Sequence, residues 1–177
     1  AGTFLKSQGY EIGASMIEED SLDLAKKLVQ EAEQKGVEFL LPLDVVIAKQ
    51  IDKNALTRII AVEEGVPEGW LILDVGPRSI EKFSQFIIDS GTVLWNGPMG
   101  VFEIKKFSIG TYSIAESLAY ASDKGSLTIV GGGDSASAIQ NMGLSERITH
   151  VSTGGGASLE FLQGEELPGL SVIKEAK

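Results

Sequence analysis

The sequence predicts a three-layer α/β domain in which a parallel β-sheet is flanked by helices on both faces. Short apolar runs typical of buried strands alternate along the chain with segments of helical periodicity. Two glycine clusters, at residues 131–133 and 154–156, each follow a strand-like run and open a helix-like one. With 177 residues, the chain is long enough for one such domain with a substantial core.

The first half of the chain begins with a helical stub that ends near Gly9. Apolar residues at helical spacing predict the next helix, with Asp20 or Ser21 as its N-cap and Gly36 at its end. Strand-like apolar runs are predicted at residues 37–41, 45–48 and 57–62. Pro42 ends the first of these runs, and a turn is predicted at residues 65–69.

Strands and helices continue to alternate in the second half. Strands are predicted at residues 70–75 and 92–95, and helices at residues 80–89 and 110–122, before the two glycine-led units. Ligands bind at the carboxyl ends of the strands in sheets of this kind. Four carboxyl ends carry unusual loops, which we expect to line one crevice: residues 74–77, 96–100, 131–135 and 152–156.

Composition restricts the class of protein. The net charge is −10 and no basic stripe stands out, which argues against nucleic acids and anionic membranes as partners. The chain has no cysteine, so it has no disulfide framework and no thiol chemistry. No signal segment opens the sequence and no apolar run approaches ~20 residues, so a cytoplasmic location is expected. Because the first residues read as the middle of a helix, we expect the chain to be a fragment.

The glycine clusters favour phosphate binding. A helix begins with unpaired backbone N–H groups and a partial positive charge, and glycine lets an anion approach them closely. Two such starts, 154 − 131 = 23 residues apart, predict two phosphate sites on one edge of one sheet. Neither cluster is a P-loop, and neither fits the Gly-x-Gly-x-x-Gly dinucleotide fingerprint.

Several polar residues near these loops have two interpretations. Asp134 is either a helix N-cap or, beside a phosphate cradle, a Mg²⁺ ligand. Ser135 either donates to a phosphate or only fills the first turn, and Glu103 is either a solvated loop charge or an acceptor for ribose hydroxyls. Asn96 could belong to a simple turn. His150, the only histidine, lies in a predicted strand and favours a structural role, so a hydrolytic triad is unsupported.

Three motifs resemble those of the phosphoglycerate kinase family: WNGPMGVFE at residues 95–103, GGGDS at 131–135 and HVSTGGGA at 150–157. Shorter matches lie at residues 41–44, 73–77, 110–111 and 167–169. The resemblance spans essentially the whole chain. It implies a Rossmann-like, N-terminally truncated C-terminal nucleotide-binding domain at residues 1–169. The tail at residues 170–177 would return to the missing N-terminal domain.

The resemblance also implies an activity. Phosphoglycerate kinases are phosphotransferases that move a phosphoryl group between ATP and the carboxylate of 3-phosphoglycerate, with Mg²⁺. In glycolysis the reverse direction forms ATP from ADP and 1,3-bisphosphoglycerate. The phosphoglycerate would bind through the missing domain of a monomeric parent, so we expect the fragment alone to bind nucleotide weakly and not to catalyse.

The resemblance assigns roles to individual positions. Asp134 would be the Mg²⁺ ligand, and Gly154, Gly155 and Gly156 would present N–H groups to the transferring phosphoryl group as the catalytic residues. The implied nucleotide-binding residues are Met16, Val45, Ile72, Leu73, Asn96, Pro98, Val101, Glu103, Gly132, Gly133, Asp134 and Ser135.

Within that set, the backbone of Gly132, Gly133 and Ser135 would hold the phosphates. Asn96 would face the phosphates, Glu103 would accept the ribose hydroxyls, and the apolar members would form the adenine pocket. The chain departs from the family at two of these pocket positions. Ile72 stands where some members have glycine, and Val45 stands where some have phenylalanine.

Two other classes of function remain open from the residues alone. The first is a dinucleotide-binding oxidoreductase domain, although its fingerprint and the acidic residue about 20 positions further on are absent. The second is a non-catalytic nucleotide-binding or interaction module. The kinase interpretation agrees with the physics of phosphoryl transfer, which needs positioning and charge stabilisation rather than a covalent nucleophile.

Overall fold

The computed structural model of the chain describes residues 1–165 and residue 167. The tail expected at residues 170–177 lies outside the described residues, as does most of the match at 167–169. The fold divides into two units. The first comprises Ala1–Phe86 and Met99–Ile114, and the second comprises the described residues of Ile87–Pro98 and Ala115–Lys177.

The first unit contains an antiparallel three-stranded sheet with the strand order β2-β1-β3. Its strands are β1 (Asp44–Ala48), β2 (Thr57–Ala61) and β3 (Leu71–Val75). Helices α1 (Gly2–Ser7) and α2 (Leu22–Gln34) precede the sheet and contact each other, and α3 (Pro77–Ile88) follows it. Ser21 is the N-cap of α2, as the sequence predicts.

This sheet differs from the expectation that all strands are parallel. Residues 49–56 join β1 to β2 without a helix, and a connection of this length returns the chain alongside its neighbour in the opposite direction. Parallel neighbours need a longer crossover, usually an α-helix. A β-bulge between Val46 and Ile47 shifts the register of β1 against β3.

The prediction of a strand at residues 37–41 is wrong. Helix α2 ends at Gln34, Gly36 follows its C-cap with φ +66°, and residues 37–42 have no strand partner. Val37 is 59% exposed, so this apolar run is not a buried strand. Phe39 instead packs its ring against Phe4 at a centroid distance of 4.9 Å.

Two apolar clusters form the core of the first unit. The larger has seven buried members: Leu5, Ile12, Val45, Ile47, Val62, Val66 and Trp70. The smaller has four: Ala48, Ala55, Leu73 and Phe107. The clusters therefore use opposite faces of the antiparallel sheet, since Val45 and Ile47 alternate with Ala48 along β1.

The second unit contains a parallel sheet with the order β4-β5-β6. The strands are β4 (Thr92–Asn96), β5 (Leu127–Gly131) and β6 (His150–Ser152). The flanking helices are α4 (Ile109–Asp123), whose residues up to Ile114 belong to the first unit, α5 (Gly133–Asn141) and α6 (Gly155–Leu162). The prediction of an α/β fold with a parallel sheet flanked by helices is confirmed here.

Both tryptophans are buried, as expected of core residues: Trp70 is 9% and Trp95 is 6% exposed. Within the part of the chain that the structure describes, no helix has the length and apolar character needed to cross a membrane.

Candidate functional site

The helices α5 and α6 both begin at glycine and have no side chain as a cap. Gly132 is the N-cap of α5 and Gly154 is the N-cap of α6. A glycine N-cap leaves the first N–H groups of the helix without a side-chain acceptor, so these groups are open to an external anion. Asp134 lies in the first turn of α5 rather than at its cap, which removes the N-cap interpretation of that residue.

The carboxyl ends of the three parallel strands meet at these helix starts. A Cβ atom placed on Gly155 would lie 2.8 Å from Gly132 Cα and 3.0 Å from Asn96 Oδ1. A Cβ atom on Gly132 would lie 2.9 Å from the same Asn96 oxygen, and its φ of +94° also favours glycine. Glycine at these two positions therefore permits a backbone approach that a side chain would block.

A buried hydroxyl group ties the loop after β4 to α5. Gly97 N–H donates to Ser135 Oγ at 2.7 Å, and Ser135 is fully buried. The Ser135 side chain therefore orients the loop that carries Asn96. Its hydroxyl group acts here as an acceptor, and donation to a phosphate stays a prediction.

The backbone donors at the two helix starts are not all available. Gly132 N–H donates to Ser152 O across the sheet, Gly154 N–H to Ser152 Oγ, and Gly155 N–H to Thr153 O. Among the described residues, no acceptor pairs with the N–H groups of the first three residues of α5 or with those of Gly156 and Ala157 in α6. The open donors therefore belong to Gly133, Asp134, Ser135, Gly156 and Ala157.

Asp134 is the acidic group beside these donors. It is exposed, and its carboxylate has no hydrogen-bond or ion-pair partner within the described part of the chain. Across residues 1–165 and 167, no three His, Cys, Asp or Glu side chains form a ready-made metal site. A lone carboxylate beside a phosphate cradle fits Mg²⁺, which binds through one or two carboxylates together with substrate phosphates and water.

Helix α3 begins differently, at a buried carboxylate. Asp44 Oδ1 accepts a hydrogen bond from Ser79 N–H at 2.8 Å, and its Oδ2 accepts one from Arg78 N–H at 3.1 Å. Ser79 Oγ also donates to Asp44 Oδ1 at 2.7 Å. Asp44 is 3% exposed, and it therefore occupies the helix start that a ligand would otherwise reach.

Asp74 accepts a hydrogen bond at the start of helix α4 in the same way. Gly110 N–H donates to Asp74 Oδ2 at 2.9 Å, and Val75 N–H donates to Oδ1 at 2.9 Å. Both aspartates lie within the motifs at residues 41–44 and 73–77, but the sequence analysis does not predict that they accept hydrogen bonds from the first N–H groups of helices. Each pair lies about 35 positions apart, and Asp44 begins β1 whereas Asp74 lies near the end of β3, so no common sequence signal indicates these roles.

Burial raises the pKa of the Asp74 carboxyl from 3.8 to about 6, against the lowering effect of the N–H groups of Gly110, Val75 and Ile109. Between these two values the folded chain holds a proton that the unfolded chain has released, so Asp74 lowers the stability as the pH rises from 4 to 6. We expect Asp74→Asn to remove a change of about 2 kcal/mol over this range.

The measurement is the free energy of unfolding by urea at pH 4, 5, 6 and 7 for both proteins. The difference between the wild type and Asp74→Asn isolates this group from the other carboxylates. A difference that stays constant with pH would show that Asp74 has an ordinary pKa.

The remaining nucleotide-binding candidates lie in the first unit, except Pro98, which belongs to the second. Val101 N–H donates to Leu73 O at 2.9 Å, and the Val101 side chain packs against the cluster that contains Leu73. Val45 is fully buried, and Ile72 is partly buried against the same core. Met16 is 93% exposed and Glu103 is exposed.

The structure thus brings together one part of the predicted crevice. Within the second unit, Asn96, Gly132 and Gly155 meet, so three of the four predicted loops converge there. The fourth loop, at residues 74–77, belongs to the first unit, and its place in the crevice stays a prediction.

Comparison with known proteins gives a consistent result. A family model described as "Phosphoglycerate kinase" matches residues 1–165. A phosphoglycerate kinase of Thermosipho africanus is 52% identical over 175 residues, which are 99% of this chain and 44% of that protein. A cytosolic phosphoglycerate kinase of Nicotiana tabacum is 51% identical over 174 residues, which are 98% of this chain and 43% of that protein.

Among solved structures, the phosphoglycerate kinase of Coxiella burnetii superposes with a TM-score of 0.88 at 38% identity. The match covers 96% of this chain and 43% of that one. The chain therefore spans less than half the length of the relatives that it matches.

Proposed function

The chain belongs to the phosphoglycerate kinase family, and we propose that it forms the half of such a kinase that binds MgADP or MgATP. The whole kinase would transfer a phosphoryl group between ATP and the carboxylate of 3-phosphoglycerate, and in reverse would form ATP from ADP and 1,3-bisphosphoglycerate. We further propose a cytosolic location, as in the N. tabacum relative, although a relative in Volvox carteri is named chloroplastic.

One observation carries the nucleotide assignment. Of the four helices that follow strands β3 to β6, two have their N-terminal N–H groups occupied by Asp44 and Asp74, and two begin at uncapped glycines. The two uncapped starts, of α5 and α6, meet at Asn96. The N–H groups at the uncapped starts of α5 and α6 remain available as donors to the phosphates of a nucleotide, whereas carboxylates accept those at the starts of α3 and α4.

In this proposal each residue of the site has a separate role in binding the phosphates and the metal. The N–H groups of Gly133 and Ser135 bind the phosphates of the nucleotide, and that of Gly156 faces the phosphoryl group in transfer. Asn96 lies where the two helix starts meet, with Oδ1 toward Gly132 and Gly155, and its amide nitrogen would donate to the phosphates. Asp134 would hold Mg²⁺, which when bound neutralises charge on the phosphate oxygens.

The candidates for adenine contact are Met16, Ile72, Leu73, Pro98 and Val101, and Glu103 would accept the ribose hydroxyls. Val45 is fully buried and Leu73 is 4% exposed, so these two would act mainly through the packing of their neighbours. Departures from the family at Val45 and Ile72 would change the packing of the base and not the phosphate chemistry.

The phosphoglycerate half of the reaction needs residues outside this chain. The chain covers 44% of the T. africanus relative, and its net charge of −10 is unfavourable for binding an acid with one or two phosphates. We therefore propose that the 177-residue chain binds nucleotide but shows no turnover. A coupled assay with ATP and 3-phosphoglycerate tests this, and measurable turnover by the pure chain would contradict it.

The nucleotide site is tested by amide NMR during titration with MgADP and with ADP alone. We expect shifts concentrated at Gly133, Asp134, Ser135 and Gly156, together with the side-chain amide of Asn96. Asp134→Ala should weaken MgADP binding roughly tenfold and change the affinity for free ADP little, because only the metal-bound form uses the carboxylate.

The matched control is Glu146→Ala, which removes one exposed negative charge beyond the other end of α5. It should leave the affinity for MgADP unchanged. Equal effects of the two substitutions would mean that Asp134 acts only through net charge, and shifts scattered over the chain would contradict the proposed site.

A further inference from the structure

Strand β2 is an edge strand of the antiparallel sheet, and it lies apart from the proposed nucleotide donors in sequence and in fold unit. The first three of its five residues are exposed; Ile59 is 59% exposed, and Leu56, just before the strand, is 85% exposed. Exposed edges that carry large apolar side chains are the templates on which another strand can pair.

The hydrogen-bond pattern identifies the backbone groups that are open. Val62 N–H donates to Leu43 O on the β2 side of β1, and Gly76 N–H donates to Asp44 O on its β3 side. Since bonded and non-bonded pairs alternate in an antiparallel ladder, Arg58 and Ile60 bond to β1. The N–H and C=O groups of Thr57, Ile59 and Ala61 therefore point away from the sheet.

At the C-terminal end of β2, the outward N–H group is already hydrogen-bonded. Glu64 Oε1 accepts a hydrogen bond from Ala61 N–H at 3.1 Å. Within the described residues, Thr57 and Ile59 have no acceptor or donor at their outward groups. These two residues offer a short stretch of up to four backbone hydrogen bonds.

The charges beside this edge favour an acidic partner. Arg58 Cζ lies 4.7 Å and Lys49 Nζ 5.8 Å from the centroid of the Trp70 ring, and neither cation forms a salt bridge to a described residue. Residues 49–58 carry three cations and one carboxylate in a chain whose net charge is −10. Lys49, Arg58 and Trp70 line an open cleft of about 570 Å³.

We propose that β2 is a docking edge for an extended protein segment in which acidic and apolar residues alternate. Such a segment would bond to the outward groups of Thr57 and Ile59 and add a fourth strand to the sheet. One of its apolar side chains would lie beside Ile59, and the acidic side chains on either side of it would face the cleft that holds Lys49 and Arg58, because side chains alternate between the faces of a strand.

The probe is a capped Glu-Val-Glu-Val-Glu peptide flanked by prolines, titrated into the full chain and followed by amide NMR. We expect shifts at the amides of Thr57 and Ile59 and at the indole N–H of Trp70. Arg58→Glu should weaken binding roughly tenfold, and added salt should weaken binding to the unaltered chain. Lys26→Glu, an equal charge change at an exposed position of α2, should leave the affinity unchanged.

Ile59→Pro tests the backbone directly. It removes an N–H that points away from β1, so the sheet should persist, and an unchanged pattern of amide shifts in β1 and β3 checks this. The peptide should then fail to bind. Equal binding of a Lys-Val-Lys-Val-Lys peptide, binding that survives Ile59→Pro, or a dimer of the chain that this variant abolishes would overturn the proposal.

Discussion

Asp44→Ala is expected to lower the free energy of unfolding by about 3–5 kcal/mol, because buried donors that lose their acceptor cost roughly 1–3 kcal/mol each and the helix loses its cap. The donors are the N–H groups of Arg78 and Ser79 and the hydroxyl group of Ser79, all within 3.1 Å of the carboxylate. The two N–H groups lose their acceptor, whereas the hydroxyl group retains Asp44 O at 2.8 Å. The site is close-packed, since a Cβ on Gly76 would lie 2.3 Å from Asp44 Cγ, so a water that replaces the oxygens must fit the space that the carboxylate leaves.

Urea denaturation measures this effect as a shift of the midpoint at unchanged slope. Asp44→Asn retains the shape and one acceptor oxygen, so it should lose less than the alanine variant. Ser79→Ala removes one donor to the carboxylate together with the acceptor for Leu43 N–H and Asp44 N–H. A loss below about 1 kcal/mol in Asp44→Ala would mean that the N–H groups find water, and the buried cap would not account for the start of α3.

The contrast between helix starts explains what the sequence could predict. The glycine clusters at residues 131–133 and 154–156 are local signals, and the helices that follow them begin where expected. The convergence of Asn96, Gly132 and Gly155 was also predictable, because the carboxyl ends of parallel strands share an edge.

The missed features depend on partners that are distant in sequence. The Asp44–Ser79 contact spans 35 positions and the Asp74–Gly110 contact spans 36, and no local pattern distinguishes these aspartates from solvated ones. The same reason explains residues 37–41, whose apolar pattern suits a strand but whose backbone has no neighbour to pair with. Direction in the first sheet was missed because alternation of elements does not reveal which strands pair.

The sequence also left undecided which glycines are structurally required and which are only permitted. The three glycines of each cluster cannot be distinguished from the sequence, but their surroundings differ in the structure. Gly133 and Gly156 have open space where a Cβ would lie, whereas Gly132 and Gly155 do not. The difference arises from how closely α5 and α6 approach each other, which is a property of packing and not of local sequence.

Gly155→Ala and Gly156→Ala are therefore expected to have opposite effects on stability. The new methyl group at position 155 would lie 2.8 Å from Gly132 Cα, so the start of α6 must shift, at a cost of about 1–3 kcal/mol. At position 156 the methyl group meets nothing within 4 Å and the backbone is helical, so the substitution should be neutral or stabilise the helix by up to ~1 kcal/mol.

Urea denaturation of the two variants measures the difference, and amide NMR locates it. In Gly155→Ala we expect shifts at Gly132 and at the side-chain amide of Asn96, together with weaker binding of MgADP, since the two helix starts can no longer approach. Gly156→Ala should leave the Gly132 and Asn96 signals in place. Similar losses of stability in both variants would mean that any substituent in the first turn of α6 is unfavourable, and the close approach of Gly155 to Gly132 would not be the reason for glycine there.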